Sequence, residues 1–288
     1  TSQTLGYDAS LNGTTTYNID QDPYRGSVVL HLNGNGPVSG QNATFTDSSS
    51  NNLTITRAGT PTQGSFSPFS LDCTTPYNPA IHGSSIFFSS STSSNNYLLT
   101  SATSALEFGS SNFTIEFWWY PQSTSRQALY HGSFGSDWSV GIDFNGTGAG
   151  TIGIWASTNG TSWNLINSDS GGNGIGTLVP TQNAWNHFVY QRNGTTWQSY
   201  LNGVLDKNLT GLSGTIVSRS GSQKAIGSWW STSSMSTATG YFSSFTITNG
   251  TAKYNGSFRL PRRPYGTLTN NLIAFSEDFS NGASWSLN

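Results

Sequence analysis

The acidic residues of this chain do not have the spacing that glycoside hydrolysis requires. A retaining glycosidase holds an acid/base and a nucleophile about 5 Å apart, which closely spaced carboxylates on one strand, such as Glu-x-Asp-x-x-Glu, would supply. The chain has three glutamates, Glu107, Glu116 and Glu277, and Glu116 lies in "TIEFWW" without a second acid two residues away. We therefore interpret Glu116 as a lone structural carboxylate and predict that the protein is not an enzyme.

Other catalytic groups are equally sparse. The four histidines, His31, His82, His131 and His187, have no acid or nucleophile close in sequence, so nothing favours a Ser-His-Asp site, although the many serines leave one open. The single Cys73 cannot form an intramolecular disulfide, and no Cys/His cluster has the spacing of zinc ligands. No glycine-rich loop of the phosphate-binding kind is present. The residues themselves therefore predict no cofactor.

Aromatic residues beside loop segments are the remaining candidates for binding. Asp137 and Trp138 lie in "GSDWSVG", Trp163 in "TNGTSWNLI", and Trp229 and Trp230 in "GSWWSTSS". A tryptophan ring can stack on the face of a sugar while neighbouring Asp, Asn and Ser side chains bond to its hydroxyls. We predict a ligand site formed by Asp137, Trp138, Trp163, Trp229 and Trp230. The alternative is that these rings close an end of the fold or pack on a partner subunit.

Composition excludes several classes of function. Charged residues make up 8% of the chain and the net charge is −2, which argues against a nucleic-acid partner and a polybasic membrane surface. No run approaches the roughly 18 apolar residues of a membrane span, so we predict no membrane insertion. Aromatic residues reach 13%, which a disordered chain would lack. The abundant Ser, Thr, Asn and Gly suit strands and turns better than helices.

Short strand-like segments recur along the chain, separated by clusters of Gly, Asn, Ser and Pro. They cover residues 27–32, 52–57, 84–90, 113–120, 151–157, 185–192, 196–202 and 241–248. Many short strands without helical periodicity favour a sandwich or jelly roll. In "FTIEFWWY" we expect Phe113, Ile115, Phe117 and Trp119 to face the core. The opposite face, with Glu116, is half polar and is a candidate to line a concave surface.

Asn-Gly pairs mark the predicted turns. Asn193-Gly194 and Asn202-Gly203 flank "TTWQSYL", and both residue types readily take positive φ. We predict two tight turns, with positive φ at all four residues, around a strand from 195 to 201. Ten Asn-x-Ser/Thr sequons occur, of which six are Asn-Gly-Thr or Asn-Gly-Ser. We interpret them as turn sequences, with glycosylation as the alternative.

A known family becomes visible when the segments are taken in order. They are "VVLHLNG" (28–34), "IHGSSIFFS" (81–89), "LEFGSSNFTIEFWWYP" (106–121), "AWNHFVYQRNGTTWQSYLNG" (184–203) and "GYFSSFTITNGTAKYNGSFRLP" (240–261). Through them residues 27–266 resemble a concanavalin A-like jelly roll of the laminin G-like type, common in phage and bacterial surface proteins. The resemblance implies an all-β, two-sheet antiparallel jelly-roll sandwich. Residues 1–26 are polar with little apolar pattern, and residues 267–288 are too few to build a domain, so we interpret them as an N-terminal and a C-terminal arm.

The resemblance also raises the question of calcium. Relatives that bind calcium use Asp side chains and backbone carbonyls in a loop, because this hard cation demands several oxygens. Asp137, Asp143 and Asp169 are the only acids in the middle loops of this chain, and they form no dense Asp/Asn ladder. We expect no metal, with calcium as the alternative.

By resemblance, the chain is expected to be a non-catalytic virion-surface protein: a phage decoration, appendage or tail-fibre component with a lectin-like domain that contacts a glycan or the host. A purely structural assembly subunit without glycan binding is the first alternative, and a glycan hydrolase is the second. The expected location is the virion surface, or else the extracellular space or cell surface.

The C-terminal arm carries apolar residues that need a cover. Leu272, Ile273, Phe275, Phe279 and Trp285 lie in a segment that is too short to bury them alone. We predict that this arm binds other virion proteins or copies of the same chain. The alternative cover is the sandwich's own surface.

Overall fold

The computed structural model describes residues 23–34, 42–69, 77–78, 82–89, 96–135, 137–229 and 237–261. In these ranges the chain forms a short 3-10 turn, Arg25–Ser27, and fourteen strands: β1 Val28–Leu32, β2 Ile55–Ala58, β3 Thr62–Gly64, β4 Ser85–Phe88, β5 Tyr97–Thr100, β6 Phe113–Pro121, β7 Gln127–His131, β8 Val140–Phe144, β9 Ile152–Ala156, β10 Asn186–Asn193, β11 Thr196–Leu201, β12 Val204–Leu209, β13 Ala225–Ile226 and β14 Gly240–Asn249. No helix in the described ranges is long and apolar enough to cross a membrane.

Several predicted features lie outside the described residues. These are residues 1–22 of the N-terminal arm, Cys73, Trp230 and the whole C-terminal arm, including Leu272, Ile273, Phe275, Phe279 and Trp285. The predicted boundaries of the arms at 26 and 267 therefore stay predictions. Residues 28–32 do belong to the sandwich, because β1 pairs with β14.

The strands form two sheets. One has eight strands in the order β12-β11-β10-β6-β14-β4-β3, with β1 also paired to β14, and the other has six strands in the order β2-β5-β13-β7-β8-β9. Strands that neighbour one another in these sheets pair antiparallel. This arrangement confirms the predicted all-β jelly-roll sandwich.

The core lies between the sheets and follows the period-two pattern of the strands. On β6, Phe113, Ile115, Phe117 and Trp119 are all buried in one cluster shared with the facing sheet, as predicted. Phe117 stacks on Phe245 of β14 with ring centroids 5.2 Å apart. Because each fully buried large apolar side chain contributes about 1.5–3 kcal/mol, this row supplies much of the attraction that holds β6 in place.

The opposite face of β6 is covered rather than open. Residues 251–261, here called the strap, return across it after β14: the Thr114 hydroxyl donates to the Thr251 carbonyl at 3.0 Å, and Lys253 forms an ion pair with Glu116. Further along, Phe69 lies against Trp118 with ring centroids 6.0 Å apart. The expectation that this face lines a concave surface is therefore wrong, because the chain's own segments occupy it.

The two predicted turns differ in register. Asn202 and Gly203 have φ of 52° and 77°, which is the type I′ turn predicted for an Asn-Gly loop. At the other end, Asn193 is still paired to Thr196, so the turn residues are Gly194, with φ of 61°, and the residue after it. The prediction of a positive φ at Asn193 is therefore wrong. Gly194 takes the first central position of the turn, as type II′ turns require. The strand between them runs from 196 to 201, within one residue of the expected range.

Asparagines of the sequons organise loops. The Asn145 amide oxygen accepts the Gly150 N–H at 2.7 Å, and Asn145 itself has φ of 56°. Asn249 donates its amide N–H groups to the carbonyls of Ala105 and Glu107, both at 3.1 Å. These contacts agree with the interpretation that such asparagines serve turns and loops.

Candidate functional site

Four tryptophans gather on the outer face of the six-stranded sheet. Trp155 belongs to β9 and points away from the core, whereas Trp138 precedes β8, Trp163 follows β9 and Trp229 follows β13. We call Trp138, Trp155, Trp163 and Trp229 the tryptophan cluster. Aromatic rings on the outer side of a sheet are unusual enough to require an explanation, because that side normally carries polar residues.

The rings of the cluster fix one another at angles. Trp163 is the centre, with ring centroids 4.8 Å from Trp138, 5.3 Å from Trp155 and 5.4 Å from Trp229. The contacts to Trp138 and Trp229 are edge-to-face, the arrangement that the aromatic quadrupole favours. His131 of β7 stacks on Trp229 at 4.8 Å. Burial lowers the pKa of His131 to about 3, so this ring is neutral near pH 7.

Small residues and an ion pair of the sheet accommodate these rings. A Cβ at Gly141 would lie 2.7 Å from the Trp229 ring, so only glycine leaves room for the indole. The Trp155 indole N–H donates to Asp143 Oδ1 at 2.9 Å. Arg126 holds the other Asp143 oxygen through Nε and Nη2, at 3.1 and 2.9 Å. Burial raises the pKa of Asp143, opposed by the bonds from Trp155 and Arg126.

The members of the cluster differ in exposure. Trp155, Trp163 and Trp229 are buried, while Trp138 is partly exposed. The buried rings therefore support Trp138 from the side of the sheet. Because the buried rings already hold the Trp138 side chain in place, a ligand that stacks on Trp138 causes little further loss of side-chain entropy.

A charged pair borders Trp138. The Arg219 Nε lies 3.5 Å from Asp137 Oδ2, with side chains 23% and 49% exposed. The Gly160 carbonyl accepts both the Trp138 N–H, at 3.3 Å, and the Arg219 Nη2, at 3.2 Å. Gly160 has φ of 75°, and a Cβ there would overlap the guanidinium. The glycine thus brings the ring and the arginine together.

A second ion pair anchors the turn that carries Arg219. Lys224 is fully buried, and its Nζ lies 2.5 Å from Glu107 Oε1 and donates to the Arg219 carbonyl at 2.8 Å. The other oxygen of Glu107 accepts the Arg219 N–H at 2.6 Å. Burial lowers the pKa of Lys224, and the bond and charge of Glu107 oppose that shift. The backbone at Arg219 is therefore held by a buried ammonium group and a partly buried carboxylate.

Neutral polar groups complete the border. The loop after β9 presents Asn159, Thr161 and Ser162, all exposed. The Asn159 amide oxygen accepts the backbone N–H of Thr161 at 3.0 Å and of Ser162 at 3.1 Å, which fixes the loop as a tight turn. The site thus combines one accessible indole with hydroxyl, amide, carboxylate and guanidinium groups.

The structure brings together most of the residues that the sequence proposed. Asp137, Trp138, Trp163 and Trp229 share the site, and Trp230 lies outside the described residues. Sequence reasoning missed Trp155, His131 and Arg219. Of these, Trp155 had a detectable signal, since it alternates with inward-facing Ile152 and Ile154. Nothing in the sequence places Arg219 beside Gly160 and Asp137, which lie 59 and 82 positions earlier.

Two of the three acids considered for calcium are paired with arginines. Asp137 pairs with Arg219 and Asp143 with Arg126. Over the described part of the chain, no three His, Cys, Asp or Glu side chains are grouped so that they could hold a metal ion.

Glu116 has a structural environment on the other sheet. It is buried, pairs with Lys253, accepts the Tyr254 hydroxyl and lies 3.6 Å from His187 Nε2. Burial alone would raise the pKa of Glu116, but the charges of Lys253 and His187 and the two hydrogen bonds lower it. Burial lowers the pKa of His187 to about 4. The carboxylate therefore fastens the strap, in agreement with its interpretation as a lone structural group.

A second set of aromatic rings lies on the outer face of the eight-stranded sheet. We call Phe66, Phe87, Tyr120, Trp185 and Tyr241 the aromatic row. Phe66 is 43% exposed, and its ring centroid lies 4.7 Å from Tyr241, 5.0 Å from Tyr120 and 5.2 Å from Trp185. Trp185 is partly exposed like Trp138, which makes it a matched comparison on the opposite sheet.

Comparisons with solved structures establish the fold. Domain 4 of AbnA, a GH43 extracellular arabinanase from Geobacillus stearothermophilus solved with arabinotriose, is similar with a TM-score of 0.50 at 15% identity, over 78% of this chain and 93% of that one. Botulinum neurotoxin type C, whose cell entry depends on interaction with two ganglioside molecules, has a TM-score of 0.52 at 13% identity, over 80% of this chain and 50% of that one. The binding domain of serotype D/C has 0.50 at 13% identity, again over 80% and 50%. This chain thus spans about half the length of the botulinum chains.

Sequence comparison identifies the family. A comparison with curated proteins finds no match. Residues 92–253, more than half of the chain, match the family model described as the concanavalin A-like lectin/glucanases superfamily. The match includes strands β5 to β14 and every residue of the tryptophan cluster. The chain belongs to the concanavalin A-like lectin/glucanase superfamily.

Proposed function

We propose that this protein is a glycan-binding module whose site is Trp138 and its border on the outer face of the six-stranded sheet. The observation that carries the proposal is the tryptophan cluster itself, in which three buried indoles support a fourth that is partly exposed. A loop with no binding role has no need of such support. Sugars present an apolar C–H face and a rim of hydroxyls, and a tryptophan bordered by polar groups matches both.

The polar border supplies hydrogen bonds of both kinds. Asp137 offers a carboxylate acceptor, Arg219 offers donors, and Asn159, Thr161 and Ser162 offer exposed side chains. Glycan binding by a neighbour of the same fold, the arabinanase domain solved with arabinotriose, supports the proposal by analogy.

The module is proposed to be non-catalytic. Glu116, the acid considered for catalysis, is buried under the strap and engaged by Lys253, Tyr254 and His187. Near Trp138, Asp137 and Glu107 are each paired with a cation. These pairings support a structural use of the acids.

We also propose that the module stands on the surface of a virus particle, as a phage decoration, appendage or tail-fibre component, and contacts the host glycan. The support is compositional: uncharged, Ser/Thr/Asn/Gly-rich β proteins are common among such parts, and charged residues are only 8% here. Residues 267–288 would provide the contact with other virion proteins or with copies of the chain. Electron microscopy of the native particle tests this placement, and a particle without density for the domain at its surface contradicts it.

A glycan array followed by calorimetric titration of the best ligand tests the binding site. Trp138→Ala is expected to weaken binding at least about tenfold, which corresponds to about 1.4 kcal/mol. Trp185→Ala removes another partly exposed indole, from the other sheet, and is expected to leave the affinity unchanged. Loss of binding in Trp185→Ala alone would place the site on the aromatic row. If the protein binds no glycan, the alternative of a purely structural assembly subunit is favoured. If it releases products from the array glycans, the proposed non-catalytic role is contradicted.

A further inference from the structure

The groups around Trp138 are electrically balanced. Asp137 and Glu107 supply two negative charges, and Arg219 and Lys224 supply two positive charges, paired at 3.5 Å and 2.5 Å. The other segments that build the site add no fixed charge, because no Lys, Arg, Asp or Glu occurs between Asp143 and Asp169 or between Lys224 and Lys253. The two ion pairs that border Trp138 therefore add no net charge.

The one exposed cation at the border is already engaged. Arg219 donates Nη2 to the Gly160 carbonyl at 3.2 Å and Nη1 to the Ser218 carbonyl at 3.5 Å, and its Nε faces Asp137. An anionic ligand group that bonds to the remaining donors of the guanidinium competes with Asp137 for the same positive charge. It would also approach the Asp137 carboxylate, which is the more exposed partner, with a side chain 49% exposed against 23%.

The arginine is also fixed in this paired position. Glu107 holds its backbone N–H, and Lys224 holds its carbonyl. Gly160 leaves space for the guanidinium that any other residue would fill. Rotating Arg219 outward to receive an anion would therefore break its contacts to Gly160 and Asp137.

We propose that the site selects uncharged glycans and rejects those that carry a carboxylate or sulfate near the bound residue; this inference rests on the proposed glycan-binding function. Hydroxyl groups can share Asp137 and Arg219 without separating the pair, because each keeps unused acceptor or donor positions. An anionic group instead either lies beside the like charge of Asp137 or loses its hydration water without gaining a cationic partner of its own. Selection thus comes from a repulsive element as well as from attraction.

Matched sugars test the inference with the full chain. Lactose is compared with sialyllactose and sulfated lactose, and methyl-esterified trigalacturonate with trigalacturonate, on an array that also carries arabinotriose and cellotriose. Uncharged members are expected to bind at least about tenfold more tightly than their charged counterparts, with an affinity nearly independent of sodium chloride. Charged members that bind more tightly, with loss of binding in Trp138→Ala, would overturn the selectivity and leave the glycan site standing. Binding by no sugar of either class would overturn the proposed function itself.

The variant Asp137→Asn tests the cause. Its side chain is half exposed, so the substitution leaves the fold intact, and the variant's urea midpoint verifies this. Freed from its partner, Arg219 is expected to accept anions, so the preference for uncharged over charged sugars should fall about tenfold, whereas affinity for the uncharged member changes less. An unchanged preference would show that the Asp137–Arg219 pair does not set the selectivity.

Discussion

Replacing Gly203 by alanine should destabilise the protein much more than the same change at Gly194. Both glycines lie in hairpin turns with positive φ, at 77° and 61°. Alanine in this backbone region costs about 1 kcal/mol at either site. The surroundings differ: a Cβ at Gly194 meets nothing within 4 Å, whereas a Cβ at Gly203 overlaps the Phe258 carbonyl of the strap.

The additional loss of stability in Gly203→Ala comes from contacts of the strap that the new Cβ would break. Displacing Phe258 breaks its N–H bond to the Gly203 carbonyl, 2.9 Å long, at a cost of about 1 kcal/mol. It also disturbs the Phe258 ring, which stacks on Tyr254 at 3.8 Å and lies 5.6 Å from Tyr200, worth about 1–2 kcal/mol. We therefore expect Gly203→Ala to lose about 3–4 kcal/mol and Gly194→Ala about 1 kcal/mol.

Urea unfolding followed by tryptophan fluorescence measures the two losses, and an unchanged m-value validates the comparison. Native-state hydrogen exchange provides a second measurement, since Gly203→Ala should raise exchange in residues 251–261 while Gly194→Ala should not. Equal destabilisation of the two variants, or a strap that keeps its protection in Gly203→Ala, would refute the argument that the strap rests on this turn.

Two further predictions concern pH and assembly. Burial lowers the pKa of His131 to about 3, against about 6.5 in the unfolded chain, so the folded protein holds this ring neutral. The contribution of the neutral ring to the free energy of unfolding is therefore complete above pH 6.5 and is lost as the pH falls toward 3. Between pH 7 and 5 the wild type should thus lose about 2 kcal/mol more than His131→Phe, which keeps a ring on Trp229; parallel urea titrations that show equal losses would contradict this. Deleting residues 267–288 should leave thermal stability unchanged but abolish incorporation into the particle, and a truncated chain that unfolds or assembles normally would contradict the assembly role.

The sequence predicted the strands with strong alternation and missed those without it. All eight expected strand segments are present, including the inward row of Phe113, Ile115, Phe117 and Trp119. Six strands were not predicted: β3, β5, β7, β8, β12 and β13. In β8 a glycine, Gly141, interrupts the apolar pattern. It lies under Trp229, so the residue that weakens the strand pattern also makes room for the site.

The candidate site was predictable in its aromatic residues and unpredictable in its charges. Tryptophans beside loop residues suggested Trp138, Trp163 and Trp229, and the fold brings them to one face. The border depends on Arg219, which meets Asp137 and Gly160 only because distant loops end side by side. Such contacts arise from the pairing of β13 with β7 and β5, which no local pattern encodes.

The buried charges of the two sheets serve different purposes, and this difference favours the tryptophan cluster as the binding site. Replacing a buried ion pair by apolar residues is often neutral or stabilising, so such pairs are better explained by positioning than by stability. On the eight-stranded sheet, the pair of Glu116 and Lys253 positions the chain's own strap. On the six-stranded sheet, the pairs at Asp143 and Lys224 hold Trp155 and the Arg219 turn, which support and border the partly exposed Trp138. The aromatic row has no comparable anchoring among the described residues, and its rings rest on one another. Polar anchoring directed at an exposed ring is what a binding site requires, because a ligand gains affinity only from groups that are already in position.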